Sequence, residues 1–213
     1  MLKNFRKTAA AASFLCMLCA VPVQAATLEH SEVYGFEQLD HETKSRILTA
    51  LEQVPQEILD LQRTEGGSIT FKNEVEDENG RQVSGLYWLS GPDQHDIWVK
   101  VGETDPYSST YHSEGRTLAH ELGHFIHELW KPSMAEEDIR ILNECYAYWS
   151  RHTDSCQDAD ETFATLYSGY VCGDRMSESE KTLFRHAEQS LIDLYGQIAA
   201  ADGEAAYGPA ADK

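Results

Sequence analysis

The pentapeptide His120-Glu121-Leu122-Gly123-His124 constrains this chain more tightly than any other stretch of it. In an α-helix, residues four apart stand one turn above each other on the same face. Two imidazoles so placed can reach one Zn²⁺ at about 2.0–2.1 Å, the distance at which zinc binds a ring nitrogen. Glu121 is one position on from the first histidine, so it cannot comfortably share that ion. Its carboxylate can instead reach a water in an open coordination position and take its proton. Leu118, Leu122, Phe125, Ile126 and Leu129 add an apolar stripe, which makes this a packed helix running from about 114 to 130. Gly123 costs such a helix roughly 1 kcal/mol, and its presence points to another chain segment coming close.

Before the motif the period of the apolar residues changes. From Asp40 to Gln62, the residues Ile47, Leu48, Leu51, Val54, Ile58, Leu59 and Leu61 fall at helical spacings broken near Pro55. That predicts one helix and a shorter second one. Ile69 and Phe71, then Val83 and Leu86 to Trp88, then Ile97, Val99 and Val101 follow strand-like patterns, with Asn79-Gly80 as a hairpin turn between the first two groups. The expectation is a small antiparallel sheet in which Asp96 to Val101 is an edge. The Ser-, Thr- and Tyr-rich loop from Gly102 to His112 is expected to form a lip before the motif helix.

After the motif, Ser133 with Glu136, Asp158 with Glu161, and Ser177 with Glu180 each carry the spacing of a helix capping box. They predict three more helices, ending near His152, Val171 and Ile198. The fold class is therefore α+β, a small antiparallel sheet followed by a helical half that carries the motif helix.

The two ends of the chain read differently. Lys3, Arg6 and Lys7 precede an apolar run from Ala9 to Val21, and Val23-Gln24-Ala25 offers small residues for cleavage. Residues 1–25 are thus expected to be a secretory signal, making the product secreted or periplasmic. Residues 26–198 then form one domain, and the Ala- and Gly-rich stretch 199–213 is expected to be disordered. The net charge of −19 becomes −22 once the three cations of the signal are lost. Such a surface excludes nucleic acid and anionic membrane as partners. Cys145, Cys156 and Cys172 remain, an odd number in an oxidising compartment, and one disulfide with one free thiol is the simplest expectation.

A catalytic zinc takes three protein ligands, so His120 and His124 need a third. His127 is on nearly the same face, but a rigid helix cannot wrap three consecutive turns around one ion, so it reads as an outer or surface residue. Glu144 follows His124 by twenty residues within Asn143-Glu144, which resembles the thermolysin-type pattern, although Tyr148-Trp149 depart from the rest of that pattern. The segment Asp158-Ala159-Asp160-Glu161-Thr162-Phe163-Ala164, together with the motif, resembles the anthrax-lethal-factor-like zincins and the bacterial proline-specific endopeptidases. The resemblance covers about residues 95–172. It implies a zincin-like fold of gluzincin type, with Glu161 as third ligand and Glu144 kept as the alternative. It also implies a tyrosine seven residues before that glutamate as transition-state stabiliser. Here that position is Asp154, with Tyr146, Tyr148, His152 and Tyr167 as the nearby candidates.

These readings converge on an expectation: a secreted zinc-dependent metallopeptidase holding one Zn²⁺ through His120, His124 and Glu161, with Glu121 as general base and a peptide or protein as substrate. The competing class is a secreted zinc-binding protein without catalysis. A third is a helical docking scaffold without metal.

Overall fold

The structure, a computed structural model, describes residues 33–91, 94–102 and 113–206. The expected signal, most of the expected lip and residues 207–213 lie outside the described residues.

Asp40 opens the first helix, α1 (His41–Leu51), by accepting a hydrogen bond from the Thr43 amide at 2.9 Å. Pro55 separates it from α2 (Gln56–Thr64), as the broken periodicity predicts. Gly66, at φ 70°, turns the chain out of α2 in the left-handed conformation that glycine tolerates best. Four strands then make one sheet: β1 (Val33–Tyr34), β2 (Ile69–Lys72), β3 (Gly85–Gly91) and β4 (Gln94–Lys100), in the order β1-β2-β4-β3.

The α+β organisation is as expected, but the sheet is mixed rather than antiparallel. β1 and β4 both run parallel to β2, and only β3 and β4 pair antiparallel. The Asn79-Gly80 turn closes on its own short excursion, where Val83 N–H donates to Val75 O at 2.9 Å and Glu76 bridges Gln82. It does not join β2 to β3, and β4 takes the place between them. The expected edge strand 96–101 is therefore an inner strand, paired on both sides, with Ile97 and Val99 fully buried. The free edge beside it belongs to β3.

Four helices follow: α3 (Glu114–Trp130), α4 (Glu136–Trp149), α5 (Ala159–Val171) and α6 (Glu178–Ala206). α3 carries the motif through the centre of the core, where Leu118, Ala119, Leu122, Phe125 and Ile126 are fully buried. None of the helices among the described residues is long and apolar enough to cross a membrane.

The three capping boxes behave differently. Ser177 and Glu180 form the reciprocal pair, with Ser177 N–H donating to Glu180 Oε2 at 2.7 Å and Glu180 N–H to Ser177 Oγ at 3.2 Å. Ser133 forms none. A 3-10 turn over Lys131–Ser133 prolongs α3, so its hydroxyl donates back to Trp130 O, and Ala135 caps α4 without a side-chain bond. Asp158 caps α5 through the Glu161 amide at 2.9 Å, but the Glu161 side chain does not return to it.

One further expectation is corrected. All three described cysteines are free thiols rather than one disulfide and one thiol. Cys156 and Cys172 sit at opposite ends of the 13-residue α5, about 20 Å of helix, far beyond the 4.4–6.8 Å that a disulfide spans between Cα atoms. Cys145 is buried on α4. Helix α6 runs on past Ala199 as far as Ala206, through a stretch rich in alanine, which favours helix.

A buried acid lies behind the core. Glu188 on α6 accepts the Tyr167 hydroxyl at 2.9 Å, and burial pushes its carboxyl up from 4.5 to about 7. Between those values the folded chain keeps a proton that the unfolded chain has released, so this group's contribution to stability falls as pH rises through that window. Glu188→Gln removes the dependence. The variant is expected to match the wild type at pH 4 and to exceed it at pH 8 by on the order of 3 kcal/mol. Denaturant midpoints at the two pH values test this, and equal differences at both would contradict it.

Candidate metal centre

His120 and His124 project from one face of α3 with their rings at 83° and centroids 4.8 Å apart. Their Nε2 atoms are 3.1 Å apart. Glu161, at the first turn of α5, brings Oε2 to 3.4 Å from His120 Nε2 and Oε1 to 3.7 Å from His124 Nε2. One ligand atom from each residue lies within 4.8 Å of the others, and this is the group among the described residues that could hold a metal ion. Two imidazole nitrogens and a carboxylate oxygen, on three partly exposed residues, fit the three-ligand donor set of a zinc site that keeps a position free.

The charges suit such an ion as well. Burial, followed by the neighbouring His120, holds His124 well below the usual histidine range, so its ring is neutral. The hydrogen bond from His120 holds the Glu161 carboxyl down against its burial, so it is ionised. Burial would lower His120 too, but Glu161 and Glu121 outweigh it and raise its pKa, the expected response to two acids beside a ring without a metal.

What brings Glu161 here is the contact between α3 and α5. A Cβ on Gly123 would lie 2.7 Å from Ala164 Cα, so the helices meet at a separation only glycine permits. The close approach expected at Gly123 is thus made by the very helix that carries Glu161. Gly123→Ala is expected to part the helices, with a stability loss of about 1–3 kcal/mol and weaker metal binding. Thermal melts and zinc titration check it; a variant with wild-type values in both would show that the contact yields easily.

The other candidates are placed elsewhere. Glu144 is on the exposed side of α4, held by Arg140, and takes no part in the group. His127 is buried rather than at the surface, stacked on Phe163 at 4.8 Å, with Nδ1 2.7 Å from Asp160 Oδ1. It ties α3 to the residue just before Glu161. Tyr167 faces Glu188 in the core, and Tyr146 donates its hydroxyl to Gln157 O at 3.3 Å. His152 lines the same cleft as His120, Glu121 and Glu161, a space of about 1010 Å³, with its Nδ1 2.6 Å from Tyr148 O. Tyr148 and Asp154 are exposed.

Glu121 is 5% exposed and lies against the first residues of β3. Burial, above all, pushes its carboxyl up to about 7. The Tyr87 main-chain N–H donates to it. A side chain at Gly85 would occupy the space of Glu121 Oε1 and Thr117. Gly85, Tyr87 and His95 were not singled out from sequence as site residues. A glycine opening a strand pattern is the one signal that marks such a close approach.

No protein-family model matches this chain, and no curated protein does. Among solved structures it is similar to the Pro-Pro endopeptidase PPEP-2 from Paenibacillus alvei, with a TM-score of 0.43 and 15% identity, over 78% of this chain and 97% of that one. A likeness of that size is too slight to assign an activity.

Proposed function

We propose that this chain is a zinc-dependent endopeptidase, exported by the signal at residues 1–25, in which His120, His124 and Glu161 hold one Zn²⁺ and Glu121 is the general base. The observation that carries the reading is the side chain of Glu161. It occupies the third position of a capping box whose cap is formed, yet its carboxylate leaves the helix end and turns to the two imidazoles. In the equivalent box at Ser177, the glutamate folds back as capping alone would require. A purely structural role for Glu161 predicts the second arrangement.

Zinc supplies polarisation of the scissile carbonyl and acidification of the attacking water. The protein's own residues do the rest. Glu121, poised near neutrality by burial, accepts the water proton and passes it to the leaving nitrogen. Ser84 and Gly85, where β3 begins, line the cleft and give an extended peptide a strand to lie beside. Lys100 N–H donates to Ser84 O, and the register pairs Leu86 with Trp98, so Gly85 directs its main-chain groups, and Tyr87 its carbonyl, to the free edge. Strand β3 is thus the edge on this side of the sheet, where Asp96 to Val101 was expected to be.

The test is metal analysis of the purified protein together with mass spectrometry of a random peptide library. One zinc per chain and cleavage abolished by a chelator is the expected result. Zinc without any cleavage favours the binding-protein class, and a chain without zinc favours the scaffold.

A further inference from the structure

We propose that Tyr87 is a positioning residue, which holds the His124 imidazole and the Glu121 carboxylate in a fixed relation from the strand beside them. The inference rests on the metallopeptidase reading above. It concerns how the site is kept in shape rather than which residues react.

The Tyr87 ring lies nearly parallel to that of His124, with centroids 6.1 Å apart and planes 15° apart. That is an offset stack within the 4.5–7 Å range over which aromatic rings attract. The register places Tyr87 opposite Ile97, a fully buried residue, so both point to the helix side of the sheet. The Tyr87 hydroxyl meets Nδ1 of His95 at 2.5 Å. His95 is itself held firmly. It is 5% exposed, its ring stands edge-on to Phe125 at 5.3 Å, and its carbonyl accepts Gln62 Nε2 at 2.6 Å. Phe125 directly follows His124, so the chain of contacts runs from the strand through His95 back into the motif helix. The Tyr87 main chain meanwhile bonds Glu121 through its N–H. One residue therefore touches a metal-facing ring with its side chain and the general base with its backbone.

Among the described residues the stack has a job that nothing else performs. A metal-binding histidine is normally oriented by a hydrogen bond from its other ring nitrogen to a carboxylate, carbonyl or water. Among the described residues no hydrogen bond is made to His124 Nδ1; its partners are His120 and Glu161 at Nε2 and the Tyr87 ring at its face. The plane of the ring is set by stacking.

Three variants of the full chain test this: Tyr87→Leu, Tyr87→Phe and Trp88→Leu. Trp88 is the next residue on β3, with its side chain on the opposite face and 38% exposed. The readouts are the zinc Kd from competition with a chromophoric chelator, the visible spectrum of the cobalt-substituted protein and the melting temperature of the metal-free protein. Tyr87→Leu is expected to raise the zinc Kd by about 10–100-fold, the usual effect of losing a residue that orients a ligand, and to shift the cobalt bands. Trp88→Leu is expected to leave both unchanged. Loss of packing alone would move the melting temperature of the metal-free protein and neither of the other two. Should Tyr87→Leu not fold, Tyr87→Phe decides: freeing the ring from His95 is expected to raise the zinc Kd by about twofold or more, and no rise overturns the proposal. A wild type that binds zinc and cleaves peptide, with Tyr87→Leu at the wild-type Kd and spectrum, overturns it as well. A wild type that binds no zinc removes the metallopeptidase reading instead.

Discussion

Glu121→Gln is expected to keep its zinc and to lose about 10²–10⁴-fold in kcat, the contribution of a well-placed general base. Glutamine has the size and shape of glutamate, and its amide oxygen can still accept the Tyr87 N–H that now reaches the carboxylate. The pocket beside Gly85 need not change. What changes is proton affinity. A carboxyl raised to about 7 by burial alternates readily between its two states at neutral pH, and an amide cannot. Zinc affinity should move little, because Glu121 is not one of the three residues, His120, His124 and Glu161, whose ligand atoms come together. Stopped assays on a cleaved peptide, alongside zinc content, separate the two effects. Activity within tenfold of the wild type would remove Glu121 from the reaction, and zinc lost together with activity would make it part of the metal's support.

How much of this was legible beforehand differs by residue, and the differences have physical causes. The span of α3 follows from five apolar residues at helical spacing, a local signal, and the helix begins at Glu114 as expected. The cap itself, Ser113 Oγ 3.3 Å from the Arg116 amide, emerges from the structure. Gly123 also spoke from the sequence, since a glycine inside a packed helix needs a neighbour to justify it. The sheet was harder. Alternation tells that 69–71, 86–88 and 97–101 are strands, but the partner of each is fixed by contacts distant in sequence. A tight turn at Asn79-Gly80 implied that the strands flanking it pair, whereas they are separated by β4. Tyr87 and His95 became visible as a pair only once the antiparallel register was known, because their spacing of eight residues carries no meaning without it. The capping boxes show the same limit. Three identical spacings gave one full box, one half box and none, according to what each side chain met in space.

The half box makes the second large prediction. Glu161→Gln is expected to weaken zinc binding at least about 100-fold, beyond the range seen when only a ligand's outer partner is lost. Glu144→Gln is expected to leave binding unchanged. The two residues stood as alternatives in sequence, each a glutamate on a helix after the motif. In space they differ in two respects. Glu144 is on an exposed face of α4 and is paired with Arg140 within its own helix, so its loss frees a surface arginine and little else. Glu161 is on α5, which Gly123 allows to lie against the motif helix, and its oxygens are 3.4 and 3.7 Å from the two ring nitrogens. Stability should separate them in the opposite sense. With its cap kept by Asp158 and the Glu161 amide, α5 does not need the Glu161 side chain to start. Removing a carboxylate that now faces two imidazoles costs the metal-free protein little, while the metal loses a charged oxygen that neither histidine can replace. A zinc titration in which Glu144→Gln fails and Glu161→Gln holds would exchange the two residues and move the metal to the α4 side of the motif helix.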